Sequence, residues 1–401
     1  MKILVAGAGV QGRMIVSRLN ETPGVSEVIS ADYNFEAARY LAESLDKVTA
    51  VQVNAKNTEE IVDISKGADL LVNALPPDFN IGLMEAALQG NMHYQDLASG
   101  PVPGFDFVSC VKNQLELNQK FKDSGLTALI NTGVAPGMVS VVARTAADKL
   151  DRCERISILI YEAVETRKYV PFWWSPETAL KDMAAKPIVF EDGEYHLKEP
   201  FSDPLVIDFK GMGPRRIVNH QHEEVVTFPM FIPGLKYVNL KYGGPSTELA
   251  EKLYKIGLLD AEPVEINGCS LAPIDMVCKV MPQAPNLPNE IADVLSEGFV
   301  VDEGAMLIRV EGLKDGKPVC IDNYINGPGL TECYEKYGFT HEAFTTGQSA
   351  FLFTKLFVVQ KIDSTGVFPP EALGREAREY YLREAAQIGL TVDEVVESGM
   401  H

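Results

Sequence analysis

The first twelve residues constrain the fold more tightly than any other stretch of the chain. Lys2 to Ala6 is a run of β-formers that leads directly into Gly7-Ala8-Gly9-Val10-Gln11-Gly12, and Met14, Ile15, Val16 and Leu19 then recur at helical spacing. A strand, a tight glycine turn and a helix, in that order, make the first βα unit of a parallel sheet. They also make a cradle for a dinucleotide pyrophosphate: Gly7 allows the turn, Gly9 lets backbone N–H groups approach the phosphates, and Gly12 lets helix and strand pack closely. The helix start around Val10 and Gln11 adds unpaired N–H donors and a positive dipole end.

Asp32 narrows the cofactor. Val25 to Ala31 reads as a second strand, and Asp32 stands at its end. That is close to the roughly 20 residues expected between the glycines and the acid that binds the adenosine ribose. A carboxylate there accepts from the ribose hydroxyls and repels a 2′-phosphate, and no Arg or Lys follows until Arg39. NAD is therefore the expected cofactor, with NADP as the alternative. Asp32 also reads as a cap for a helix starting near Phe35, which is compatible with either.

Alternating strand and helix signals continue to residue 133, so the expected fold class is α/β. Helices are expected at Phe35–Leu45, Thr58–Ser65, Ile81–Gly90 and Phe105–Ser124, and strands at Val48–Val53, Asp69–Ala74, His93–Leu97 and Leu126–Asn131. Repeated βα units of this kind imply a doubly wound parallel sheet. After Leu150 the texture changes to short strands: Ile156–Glu162, Ile188–Phe190, Tyr195–Leu197, Leu205–Phe209, Arg216–His220, Val225–Phe228, Lys236–Tyr242, Ala305–Glu311 and Lys317–Tyr324. Asp192-Gly193 and Asp315-Gly316 are hairpin signals. The expected division is a cofactor domain over 1–133, a central α+β domain with a mainly antiparallel sheet over 134–345, and a helical segment over 346–401 that returns to the first domain. An open antiparallel sheet with one apolar face suits a homodimer.

Size and charge exclude several classes. A chain of 401 residues is long for one core. No run approaches the roughly 20 apolar residues of a membrane span, and the first strand starts at once with no signal peptide ahead of it, so a cytoplasmic location is expected. A net charge of −20 disfavours nucleic acid. The six cysteines show no CxxC spacing and read as reduced thiols. His220-x-His222-Glu223 lacks a third ligand at a recognisable spacing, so no metal is expected. No Ser-His-Asp or Cys nucleophile pattern is evident either.

Several separated segments resemble the saccharopine dehydrogenase superfamily, most closely its lysine 6-dehydrogenase-like branch. They are Leu71-Val-Asn-Ala-Leu-Pro-Pro-Asp-Phe-Asn80, Glu85-Ala-Ala-Leu-Gln-Gly-Asn-Met-His-Tyr-Gln-Asp-Leu97, Asn131-Thr-Gly-Val-Ala-Pro-Gly-Met138, Trp174-Ser-Pro-Glu177, Val264-Glu-Ile-Asn-Gly-Cys269, Thr345-Thr-Gly347 and Gly366-Val-Phe-Pro-Pro-Glu-Ala-Leu373. The resemblance implies an N-terminal Rossmann domain, a central α+β substrate and dimerisation domain, and an NAD(P)-dependent oxidoreductase acting at a C–N bond of an amino acid. Oxidation of lysine at its ε-amine is the first expectation. Saccharopine or carboxynorspermidine chemistry is the alternative, and a non-catalytic NAD(H) sensor is the reading of another class. Departures from the family pattern at Tyr161–Arg167 and Gln348-Ser349 leave the substrate open.

Hydride loss from an amine carbon needs a neutral nitrogen, so the site must bind the amine and route its proton. Strand ends beside the nicotinamide supply the candidates. Ala74, Leu75 and Pro76 are expected near the cofactor, Asp96 as the partner of a substrate ammonium or as a loop cap, and Asn131 as a donor to the carboxamide or the reacting nitrogen. Tyr94 is a candidate substrate-binding residue, and Trp174, with Trp173, is a candidate pocket wall or equally a hinge-packing residue. Arg215, or its neighbour Arg216, is the candidate clamp for an amino-acid carboxylate. Glu162 is a further candidate to face the nicotinamide.

Overall fold

The computed structural model describes residues 1–398. The described chain divides into two compact units, one comprising Met1–Thr145 with Ala343–Ile388, the other Ala146–Glu342 with Gly389–Ser398.

The first unit is a seven-stranded sheet in the order Gly366–Phe368, Thr127–Leu129, His93–Asp96, Leu70–Asn73, Lys2–Ala6, Glu27–Asp32, Val48–Gln52, with every pairing parallel. Ile3, Leu4, Val5, Leu70, Leu71 and Val72 have no exposed surface. Such unbroken apolar strands are what a parallel sheet covered on both faces requires. The chain leaves Lys2–Ala6 for one neighbour and returns to place Leu70–Asn73 on its other side. The strand ends around Ala6 and Asn73 are therefore a topological switch point, where α/β sheets bind ligands. Past the unit boundary, the helix His341–Val358 packs onto this sheet. Gln95 on a central strand donates to the Ala350 carbonyl at 2.9 Å and accepts from Thr354 Oγ1 at 2.9 Å. Phe353 then stacks on Tyr381 of the helix Arg375–Gln387, with ring centroids 4.3 Å apart.

One expected helix divides. Phe105–Ser124 forms Phe107–Leu115 and Asn118–Asp123, because the Leu117 N–H turns back to Gln114 at 3.1 Å in a tight turn that ends the first segment.

The second unit holds a nine-stranded sheet, with Arg152–Thr166 paired on one side to Phe299–Lys314 and on the other to Tyr237–Gly243. The pairings are antiparallel except between Arg152–Thr166 and Tyr237–Gly243. Both hairpin signals form as read. Asp192 and Gly193 have φ of 48° and 93°, and Asp315 and Gly316 of 50° and 72°, the positive pair a type I′ turn demands.

Two segments depart from the sequence reading. Val225–Phe228 is not a strand but the middle of a helix, Glu223–Phe231. The β-branched Val225, Val226 and Thr227 cost a helix only tenths of a kcal/mol each, and burial of all three outweighs that. Thr391–Ser398 does not stay helical with the first unit: it is a strand, antiparallel to Lys317–Asn326 in the second, as Thr391, Val392, Val395 and Val396 favour.

Candidate active site

The glycine loop is built as its spacing demands. Gly7 has φ of 101°, and a Cβ there would lie 2.8 Å from the Ala74 carbonyl; one on Gly12 would lie 1.8 Å from the Gly7 carbonyl. A Cβ on Gly9 would meet nothing within 4 Å. Two glycines are thus fixed by packing, and the middle one fronts open space at the start of the helix Val10–Asn20, where no side chain caps the helix. The first-turn N–H groups of Val10, Gln11 and Gly12 have no helical acceptor there, and the Gln11 side-chain oxygen is buried without a partner.

Asp32 spans two turns. One carboxylate oxygen accepts from the Ala8 N–H at 2.7 Å, the other from Asn34 at 2.8 Å. The helix cap is Asn34, which accepts from the Glu36 N–H, so the capping alternative falls to the neighbour. Each Asp32 oxygen retains a lone pair for a sugar hydroxyl. Leu75 stands against Gly7, its Cδ2 3.0 Å from where a Cβ would be, and Ala74 closes the strand by donating to Ala6 at 2.8 Å. Pro76 leads into the short turn Pro77–Phe79. Together these residues fit a dinucleotide: an unfilled glycine approach, open N–H donors and an acid at the second strand end.

The other strand ends are more occupied than expected. Asp96 is 1% exposed; it accepts from the Asn131 N–H at 2.8 Å and from the Gln114 side chain at 2.5 Å. It ties two strand ends together, which is its loop-capping alternative rather than a contact with a substrate ammonium. Tyr94 has no exposed surface and belongs to the core. Its hydroxyl accepts from Asn73 at 3.1 Å, and burial together with the Asp96 charge pushes its pKa well above the usual range. With no surface exposed, it offers nothing to a substrate. Asn131 adopts φ of 64°, its side-chain oxygen accepts from Ser99 at 2.7 Å, and its Nδ2 is buried without a partner. A donor left unsatisfied at a strand end costs stability and is suited to a ligand acceptor.

In the second unit a cleft of about 300 Å³ opens beside the central strand. Its aromatic wall is Tyr169, Phe172, Trp173 and Trp174, and its charged groups are Glu162, Glu165, Glu248 and Lys252. Trp174 stands edge-on to Phe172 and Tyr242, at 6.3 and 6.1 Å between centroids. Trp173 is anchored from Nε1 to the Val164 carbonyl at 2.6 Å.

At one end of the cleft, residues distant in sequence converge on Glu162. His341 Nε2 lies 2.8 Å from one carboxyl oxygen, and the Tyr242 hydroxyl donates to the other at 2.5 Å. A carboxyl oxygen of Glu342 lies within 4.8 Å of both Glu162 and His341. Burial works against the charge on Glu162, but the bonds from His341 and Tyr242 hold its carboxyl below the usual range. Burial also opposes a charged His341, and the bond and charge of Glu162, with Glu342 and Asp302, nonetheless raise it. Glu342, buried beside the Glu162 charge, is pushed up to about 8. Glu162 and Trp174 are sequence candidates that meet here. Tyr242, His341 and Glu342 carried no sequence signal, because only sheet register brings Tyr242 opposite Ile160 and places Gly243 beside Tyr161.

The arginines are engaged elsewhere. Arg215 pairs with Glu303 at 3.0 Å beneath its stacking on Tyr161, and Arg216 grips Glu251 with two bonds, at 2.8 and 3.3 Å. Neither lines the cleft, because alternate residues of the strand Gly213–Asn219 point to opposite faces and each meets its own carboxylate. The cation in the cleft is Lys252.

Residues 3–129 match the saccharopine dehydrogenase NADP binding domain, and residues 133–390 match the saccharopine dehydrogenase C-terminal domain. The chain belongs to the saccharopine dehydrogenase family. Over 98% of its length it is 27% identical to the carboxynorspermidine synthase of Vibrio cholerae, covering 96% of that protein. It is 24% identical to the carboxyaminopropylagmatine dehydrogenase of a Synechocystis species, covering 98% of each. In fold it is similar to the saccharopine dehydrogenase (L-Glu forming) of Saccharomyces cerevisiae, with a TM-score of 0.68 at 13% identity over 99% of both chains. It is also similar to the homospermidine synthase of Legionella pneumophila in complex with NAD, with a TM-score of 0.68 at 14% identity over 99% of this chain and 91% of that one.

The chain is thus an NAD(P)-dependent oxidoreductase of the saccharopine dehydrogenase type, from a family acting on amine-containing substrates. The names of its relatives fit the carboxynorspermidine alternative rather than the lysine 6-dehydrogenase expectation. Among the described residues no helix is long and apolar enough to cross a membrane.

Proposed function

We propose that this member of the family makes or breaks the secondary amine that joins a carboxyaminopropyl group to a diamine or guanidino-amine. The observation that carries this reading is the character of the cleft: three carboxylates and an aromatic wall against a single lysine. A polyamine offers two or more cations on apolar spacers. Carboxylates neutralise the ammonium ends, and aromatic faces accept both the methylenes and the charge. Free lysine brings a carboxylate along with its ammonium groups and would leave more of the cleft's three carboxylates unmatched. The names of the relatives point the same way, since one describes the synthesis of such a conjugate and the other its dehydrogenation.

The chemistry asks three things of the protein. The attacking amine must be stripped of a proton so that its lone pair can add to an aldehyde carbon. The resulting carbinolamine must lose its hydroxyl with a proton, as water, to leave a C=N bond. That carbon must then be presented to a hydride donor; a nicotinamide dinucleotide supplies or takes up the hydride when bound. Gly7, Gly9, Gly12, Val10, Gln11 and Asp32 would hold the dinucleotide, with Ala74, Leu75 and Pro76 beside it and the Asn131 Nδ2 offered to an acceptor near its reacting end. Lys252 is suited to the α-carboxylate of the carboxyaminopropyl part, and Glu162 to the amine. Asp32 favours NAD.

The test follows absorbance of the reduced cofactor. Diaminopropane, putrescine or agmatine is mixed with the α-amino acid aldehyde from which a carboxyaminopropyl group would derive, and lysine and saccharopine are run with oxidised cofactor. Consumption of reduced cofactor that requires both amine and aldehyde is the expected result. Turnover of lysine or saccharopine alone would overturn the substrate class, and tight dinucleotide binding with no turnover of any amine would favour a sensor.

A further inference from the structure

We propose that His222, Glu223 and Glu224 form a buried site for one divalent metal ion of the zinc or manganese class. None of the three lines the cleft, so the inference does not depend on the substrate.

Local geometry is the first argument. The strand Gly213–Asn219 ends before His220, so the two histidines of His220-x-His222 do not share a strand face. His222 is instead the N-cap of the helix Glu223–Phe231, with extended φ of −160° and no cap bond from its side chain. Its Nδ1 lies 2.5 Å from Glu224 Oε2 and 3.5 Å from Glu223 Oε2. One ligand atom from each of the three residues lies within 4.8 Å of the other two. Ligands bonded to zinc at roughly 2.0–2.2 Å stand roughly 3 to 4 Å apart, so small side-chain rotations close the three onto an ion.

An unmet oxygen is the second argument, and it is independent of the contacts within the group. Glu224 has no exposed surface, and its Oε1 is buried with no hydrogen-bond partner. An ionised carboxylate has acceptors only, and one left without a donor or cation in the interior is costly. His222 satisfies Oε2; an ion held by the carboxyl group satisfies the other oxygen. Asp182, on the helix Pro176–Ala184, adds a further acid. Its Oδ1 is likewise buried without a partner, and its charge acts on both His222 and Glu223.

Charge decides which ligand fits. Two carboxylates and a protonated imidazole leave one negative charge unbalanced in the interior. Two carboxylates, a neutral imidazole and a divalent ion leave none, and binding releases the imidazole proton. In the metal-free chain that proton stands between His222 and Glu224. An imidazole with carboxylates suits zinc or manganese, whereas calcium and magnesium take oxygen ligands and copper(I) takes sulfur. The sequence pattern hid the site because His220 is not one of its ligands and Glu224 is.

The ion would act from behind the cleft. The His222 ring lies 6.2 Å from that of His220, and His220 lies 5.6 Å from Tyr242, whose hydroxyl donates to Glu162. It therefore braces the layer that carries Tyr242 and touches no substrate.

The test uses the full chain, dialysed against EDTA, with Zn2+ or Mn2+ added alone and followed by calorimetry and thermal melting. One equivalent should bind, and the melting temperature should rise by several degrees. H222A and E224Q should each weaken that equivalent more than about 100-fold, and D182N, which removes a nearby charge but no ligand, about 10-fold. H341A is the control, because Glu162, His341 and Glu342 are the other such group among the described residues; it should leave the equivalent in place. No saturable binding up to about 1 mM, or binding lost in H341A and kept in H222A, would overturn the proposal. Several weak equivalents indifferent to H222A would also overturn it, as ions scattered over an acidic surface. X-ray absorption of the zinc-loaded unaltered chain requires no variant to fold. A single imidazole in an otherwise oxygen shell is the expected result, and a sulfur ligand or a second imidazole would refute the assignment.

Discussion

The two units build their candidate sites by different means. In the first, the site is backbone: glycines at three positions, open N–H groups at a helix start, and an acid whose oxygens are held by the Ala8 and Asn34 amides. In the second, the site is side chain: a carboxylate, an imidazole, a phenol and indoles brought from strands and helices far apart in sequence. At Gly7 and Gly12 a backbone site tolerates no added atom, because the carbonyls they meet cannot turn aside. A side-chain site can lose a member and bind more weakly. The first should therefore break abruptly under substitution, and the second should degrade by degrees and respond to pH.

The largest effect should come from Gly12→Val. Its Cβ would lie 1.8 Å from the Gly7 carbonyl oxygen, so helix and strand must part. Dinucleotide affinity should fall more than about 100-fold, with a melting temperature lower by several degrees. Retention of affinity by calorimetry would show that the loop is not the cradle. Trp174→Ala comes next: removal of an aromatic wall should lower kcat/KM for the amine about 10- to 100-fold, with dinucleotide affinity unchanged. Coupled losses would mean that the two sites are not separable. Asp32→Ala should weaken NAD about 10-fold and NADP less, as measured by fluorescence titration. Equal losses would remove Asp32 from the ribose. Lys252→Ala should raise KM for the carboxylate-bearing substrate more than Arg215→Ala does, and the reverse order would return the clamp to Arg215.

The smallest effect concerns pH. Burial opposes a charged His222, but Glu224, 2.5 Å away, with Glu223 and Asp182, raises it from 6.5 to about 9. Burial, with the Glu223 charge, raises Asp182 to about 7. A raised histidine adds stability below its unfolded value that is lost as pH climbs through about 9. A raised acid likewise favours the folded state at low pH and penalises it as pH passes about 7. Both signs agree, so the free energy of urea unfolding should fall between about pH 6 and about pH 9, by on the order of 2 kcal/mol, and the midpoint with it. His222→Ala should flatten that slope; a midpoint rising with pH would contradict the assignment.

Legibility in the sequence follows the same division. The parallel sheet, the glycine turn and both Asp-Gly hairpins are consequences of residues adjacent in the chain, so a linear reading recovers them. Val225–Phe228 misled because burial, not local propensity, decides a short apolar run. Asp96 and Tyr94 misled for a related reason: residue type and position at a strand end do not reveal whether a neighbour such as Gln114 or Asn73 has already claimed the polar atoms. Arg215 and Arg216 were legible as cations, but not the carboxylates on other elements that pair with them.

By itself the sequence determined that this chain binds a dinucleotide at its first strand–turn–helix unit, because the glycine steric rules operate within twelve consecutive residues. Only the tertiary structure decided which acids and rings come together in the cleft. Glu162 gains its partners from His341 and Tyr242, and no local pattern records which of 56 acidic residues will meet them.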